Sequence, residues 1–279
     1  MDVHDVGSTL AEGFGNVAPA GPACGHGSDT DELCGIPAGF PPCLSGKSVW
    51  TGAQFQDETR FIHVLTEDHL AEIPRALARF KEQLSQDVYN GNGFCVIRGI
   101  NKDDYSVEDL TVIWLGIQAY IADQRGRQDH RGNMLGGPQS SRMPLSRLMM
   151  NFGRTPLLGN AVHPRPEHLP KLSECQREAL DTVEAIAQAV QLEIRTRAGD
   201  MHFINNFTVL HRREGFVDGA GPREKRHLVR MILRSSELGW SIPEELKQDW
   251  YDAFEVDSSK TWHLEPMPSG AFPLRKYTN

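Results

Sequence analysis

The chain has 279 residues, 39% of them hydrophobic and 24% charged, enough apolar material for one large globular domain or two small ones. Acidic residues outnumber basic ones by 37 to 29, giving a net charge of −8 with no basic stripe, which argues against nucleic acid as the main partner. No apolar run reaches the ~18 residues of a membrane span, and the first fifteen residues have neither the positive nor the apolar region of a signal peptide.

The five cysteines (Cys24, Cys34, Cys43, Cys95 and Cys175) are odd in number and irregularly spaced. They predict no disulfide framework and a reducing, cytoplasmic location. A zinc site from Cys24, His26, Cys34 and Cys43 would have no Cys-x-x-Cys pair to support it, and free thiols in a loose segment are the simpler expectation.

Residues 1–45 are dense in Gly and Pro and predict a disordered leader, with a domain over 46–279. From Thr66, the three- and four-residue steps of Leu70, Ile73, Leu77, Phe80 and Leu84 predict an amphipathic helix, kinked or delayed at Pro74. Gly93 to Gly99, enclosing Phe-Cys-Val-Ile-Arg, reads as a short buried strand. Ser106 with Asp109 opens a second helix in a capping-box-like arrangement, burying Leu110, Ile113, Trp114, Ile117 and Ile121.

After Gly126 the pattern dissolves into a turn-rich stretch. A third helix is capped by Ser173 and Gln176, with Ala179, Leu180, Val183, Ile186, Ala187 and Val190 along one face. The turn Ala198-Gly199-Asp200 leads into a strand over Met201–Asn206 and then Phe207–His211. Arg226–Arg234 is the next strand, on which Arg226, Leu228 and Arg230 share a face and His227 points the other way. Trp240, Pro243, Trp250, Tyr251 and Phe254 read as packing residues.

The segment from Gly199 to Arg234 resembles the C-terminal half of the taurine dioxygenase family of Fe(II)/2-oxoglutarate-dependent enzymes, in a fungal form. The matching residues are Gly199, Asp200, Asn205, Asn206, His211, Arg226 and Arg230. The capped helix and the stretch from Trp50 to about Leu135 are similar to the family as well. The resemblance implies an α+β fold, a double-stranded β-helix (jelly roll) flanked by helices. It implies that His211 is the distal iron ligand and that Arg226 and Arg230 hold 2-oxoglutarate. The chemistry is compatible: neutral imidazole suits iron, and two guanidinium groups on one face make a carboxylate clamp.

The family places a His-x-Asp or His-x-Glu pair, two of its three iron ligands, in the centre of the chain. No central histidine here has an acid two residues later. About a dozen residues around Gly136-Gly137-Pro138 join the two matching halves, so the block carrying that pair and several core strands is missing and the jelly roll is expected to be incomplete. A closed barrel needs about eight strands, and the sequence offers about four. Asp129 and His130 are neighbours that would face opposite sides of a strand. His163 and His168 sit among prolines, and His202 lies on the strand leading to His211.

Three readings stay open. One is an oxygenase that hydroxylates or desaturates a small molecule, a tailoring role known among fungal relatives. The second is a catalytically inactive pseudo-enzyme that binds a small acid or a protein, its open sheet edges covered in an oligomer. The third is an ordinary dioxygenase whose coding sequence is truncated near Gly136.

Overall fold

Strand β2, Phe94–Arg98, is buried at all five positions and organises both sides of the core. The computed structural model describes residues 44–71, 82–127, 153–159, 164–212, 228–256 and 260. Because side chains alternate along a strand, β2 serves two clusters. Cys95 and Ile97 pack with Leu65, Leu84, Val88, Ile100, Ile117, Ile121 and Phe203. Phe94 and Val96 pack with Phe55, Phe61 and Ile62. The second cluster is mainly aromatic, with ring centroids of Trp50–Phe55 at 4.9 Å and Phe61–Phe94 at 5.4 Å. A strand covered on both faces reads as a continuous apolar run, as this one does.

The described elements form a mixed α+β assembly. Strand β1 (Ile62–Val64) pairs parallel with β2, and β4 (Met201–Ile204) pairs antiparallel on its other side, giving the order β1-β2-β4. A separate two-stranded sheet joins β3 (Gln124–Gly126) to β5 (Ile232–Arg234). Helix α1 covers Glu67–Ala71, and residues 82–89 form α2, which buries Leu84 and Val88. The predicted helix face at Ile73, Leu77 and Phe80, and the kink at Pro74, lie outside the described residues, as does the leader up to residue 43. Helix α3 spans Val107–Ile121 and begins at Ser106, whose hydroxyl accepts from the backbone N–H of Asp109. Helix α4 is Arg154–Leu158, and α6 is Lys247–Phe254.

Helix α5, Glu174–Val190, has the predicted Ser173–Gln176 capping box; none of its residues is buried and Ile186 is 59% exposed. Its apolar face is only half-covered. Two expectations about strands are corrected. Of the strand expected over Arg226–Arg234, Arg226 and His227 lie outside the described residues, and the described part is strand only over Ile232–Arg234, so Arg230 stands ahead of it. The strand expected to end at His211 stops at Ile204, because Asn205 turns the chain. Its side chain accepts from the Phe207 N–H and donates to the Val88 carbonyl, and its own N–H bonds to the Gly93 carbonyl. Gly93, at φ +87°, is needed here: a Cβ would lie 2.6 Å from the Thr208 methyl.

The C-terminal aromatics do pack. Trp250 stacks on Phe254 at 4.8 Å, faces Phe207 at 5.9 Å, and carries the Arg234 guanidinium over its ring at 5.2 Å. Among the described residues, no helix is long and apolar enough to cross a membrane.

The exposed α5 face yields a direct comparison. Ile186→Gln is expected to change stability by less than about 0.5 kcal/mol, whereas Ile117→Ala, at a fully buried site, is expected to cost about 3 kcal/mol. Urea denaturation of the two variants checks this, and an equal loss in both would mean that α5 is covered.

Candidate functional site

The route to the candidate site starts at Arg98, the last residue of β2. Its guanidinium grips Asp200 bidentately, Nε to Oδ1 at 2.9 Å and Nη2 to Oδ2 at 2.8 Å, and also donates to the Arg195 carbonyl at 2.9 Å. Asp200 has a side chain only 1% exposed and accepts as well from the backbone N–H of Arg197. Gly199, at φ +85°, packs so closely on Ile100 that a Cβ would fall 1.9 Å from its carbonyl oxygen. The Gly-Asp turn is therefore welded to the end of β2. Burial pushes the Asp200 carboxyl up, but the bonds from Arg98 and Arg197 outweigh it and leave the pKa below 3.8.

From that turn β4 runs to Asn205, and the chain reaches His211 in an irregular segment. His211 is exposed as a whole residue, yet the atoms around its ring hold its pKa below 6.5. Desolvation is the main cause, the nearby Arg230 charge adds to it, and a hydrogen bond with the Val209 backbone opposes both. Next to it in sequence, Arg212 lies 3.8 Å from Glu184 of α5, a helix that also binds Arg154 through Asp181 and Glu184.

Arg230 stands just ahead of β5, half-buried, with its Nε out of solvent and without a hydrogen-bond partner. Burial lowers its pKa, and among the described residues no acid is set against it. A guanidinium in that state favours an incoming oxyanion, because an unpaired buried donor is costly. Of the three residues expected at the site, the structure brings His211 and Arg230 within electrostatic reach of one another, and Arg226 lies outside the described residues.

The other histidines are placed elsewhere or not described. His202 has its Nε2 3.9 Å from Asp200, and burial, then the Asp200 and Arg98 charges, act on its titration with a net downward shift. His168 is exposed in a turn. Asp129, His130, His163 and the four zinc candidates in the leader lie outside the described residues. One His-x-Glu does occur, His263 with Glu265, but it follows His211 in the chain and also lies outside them. The partnership of Arg98 with Asp200 was not anticipated from sequence. Its one signal is a charged residue closing an otherwise apolar strand.

The family model for the taurine catabolism dioxygenases (TauD, TfdA) matches residues 136–232, the stretch holding His211, Arg226 and Arg230. A protein of Stachybotrys chartarum, named taurine hydroxylase-like protein SAT17, is 23% identical over 343 aligned positions covering 81% of this chain and 89% of the relative. That coverage is more than the residues from Gly136 onward can supply, so the similarity reaches into the N-terminal half. The chain is therefore similar to the taurine dioxygenase-like family, over the matched stretch and along most of the fungal relative. Because 343 positions exceed the 279 residues present, the relative also has segments without a counterpart here.

Members of this family generally use Fe(II) and 2-oxoglutarate and have the jelly-roll fold. Among the described residues, no three His, Cys, Asp or Glu side chains gather into a group able to hold a metal ion. Among the described residues, the charge that acts on His211 is that of Arg230, whereas such a site needs a second imidazole and a carboxylate. The described residues thus do not fit the iron, while Arg230 fits a carboxylate.

The Arg98–Asp200 pair and the His211–Arg230 neighbourhood each give a prediction. Asp200→Asn leaves a buried guanidinium uncompensated and is expected to cost about 3–5 kcal/mol in urea denaturation. Since the folded pKa of Asp200 is depressed, its contribution is present above pH 3.8 and lost as pH falls below that value, so the variant should have a flatter acid limb. In an NMR titration His211 should show a midpoint below 6.5 that rises in Arg230→Met. A midpoint that does not respond would separate the two residues.

Proposed function

We propose that the chain is a taurine dioxygenase-like protein of incomplete double-stranded β-helix architecture whose His211–Arg230 half-site, with Arg226, binds a small carboxylate, 2-oxoglutarate foremost, without completing an iron centre. The supporting observation is Arg230: a half-buried guanidinium with an unpartnered Nε and no acid set against it, beside His211. In family members the iron and 2-oxoglutarate supply the oxidation of an unactivated C–H bond. Here the chain's own residues supply charge and direction for the carboxylate, a guanidinium being a planar bidentate donor.

The second reading is a working oxygenase that hydroxylates or desaturates a small molecule, including a tailoring step in fungal secondary metabolism. Similarity to a taurine hydroxylase-like protein of a fungus favours it. It requires two further ligands from residues such as Asp129, His130, His263 or Glu265. Release of succinate from 2-oxoglutarate by Fe(II)-loaded protein would decide for it.

Calorimetric titration of the purified protein with 2-oxoglutarate tests the first reading. Arg230→Met, with circular dichroism as the control for folding, is expected to weaken binding by about tenfold or more, the loss of one charge-assisted pair. Unchanged affinity in a folded variant would remove Arg230 from the site.

A further inference from the structure

His202 stands beside the Arg98–Asp200 pair without joining it. It lies on β4 opposite Val96 of β2, on the face that carries Ile204 after it. Its Nε2 is 3.9 Å from Oδ2 of Asp200, too far for a hydrogen bond, and is out of solvent with no hydrogen-bond partner. The carboxylate has little left to offer. Arg98 donates to both of its oxygens, and the Arg197 N–H donates to Oδ2 as well. The imidazole therefore faces a carboxylate already balanced by a guanidinium, with only 26% of its own side chain exposed.

We propose that His202 is an acid-operated release for β4: on taking up a proton its ring leaves the place beside Asp200, and β4 loosens from β2. Three effects act on a proton at this ring. The Asp200 charge at 3.9 Å attracts it. The Arg98 guanidinium, 2.8 Å from the same oxygen, cancels most of that attraction. What remains is the cost of holding a charged ring out of water, and an imidazolium donates from both nitrogens while Nε2 has no acceptor. Burial is accordingly the largest influence on the ring, and its pKa lies below 6.5. Arg98 from β2 and Asp200 from its own turn are the charges that act on it, and Glu58 acts on Arg98. A neutral ring fits this place and a charged one does not, so the folded state loses stability as pH falls below the unfolded value of 6.5. The run of pairing on β2 is only Met201 to Ile204, and His202 sits inside it. The same strand leads through Asn205 toward His211, so order at the candidate site follows the proton.

The test uses the whole chain without added ligand, between about pH 7.5 and 5, where Asp200 stays ionised. In an NMR titration the His202 ring is expected to have its midpoint below 6.5. Over the same range, amide exchange of Met201–Ile204, corrected for the intrinsic rate, is expected to accelerate severalfold relative to Ile117–Ile121 of α3. His202→Gln, neutral throughout, should hold that ratio level. His211 titrates in the same range, and comparison with this variant removes its contribution. A midpoint above 6.5 would mean that Asp200 gains a second partner on acidification and would overturn the release. Level exchange in the native chain, or equal acceleration in the variant, would overturn it as well. Should His202→Gln fail to fold, His202→Asn takes its place, and both native readouts stand on backbone assignment of the unaltered chain.

Discussion

The ion pair between Arg98 and Asp200 is the constraint on which the geometry of the candidate site depends. It closes a contact 102 residues apart in sequence and joins the buried end of β2 to the turn that launches β4. A carboxylate with 1% side-chain exposure would be expelled from the core without such a partner. The pair alone adds little net stability over an apolar substitute, since desolvation of both ions offsets most of their attraction. Its value is positional. With Asp200 held at Arg98, the register of β4 on β2 is set, Asn205 meets Gly93, and the chain emerges toward His211 at a defined place.

How much of this was legible in the sequence depended on whether the signal was local. The buried strand at Phe94–Arg98 and the caps at Ser106 and Ser173 were readable because composition, periodicity and capping chemistry act within a few residues. The partner of Asp200 was not, because nothing local distinguishes Arg98 from Arg195 or Arg197. Strand β3 was missed for a related reason: Gln-Arg-Gly has no β signature, and it is a strand only because β5 pairs with it. The candidate residues His211 and Arg230 are named by resemblance, not by pattern. The error about their setting came from extending two strands beyond the point where Asn205 and the short β5 end them.

Helix α5 records the same dependence on distant structure from the opposite direction. Its apolar face is as regular as that of any buried helix, yet Ile186 is left 59% exposed and no residue is buried. Amphipathic patterning says that a face is suited to burial and cannot say that a partner is present. The relative of 343 aligned positions has segments this chain lacks, and the described residues form sheets of three and two strands. The pattern of α5 and its cover are therefore set by different parts of the sequence.

The same reasoning applies to charge. In a complete centre of this family, the divalent cation stands among two imidazoles and a carboxylate, and the co-substrate's negative charge lies between the metal and the guanidinium groups. In the reading proposed above, which lacks the central pair, Arg230 would stand without the carboxylate and second imidazole, and the neighbourhood would favour anions over cations. A guanidinium whose Nε has no partner attracts anions, and the downward shifts of His211 and Arg230, each caused mainly by desolvation, mark surroundings that disfavour further positive charge. The carboxylate-binding reading proposed above would thus be a site of opposite preference to an iron centre, its residues suited to holding a carboxylate for its own sake.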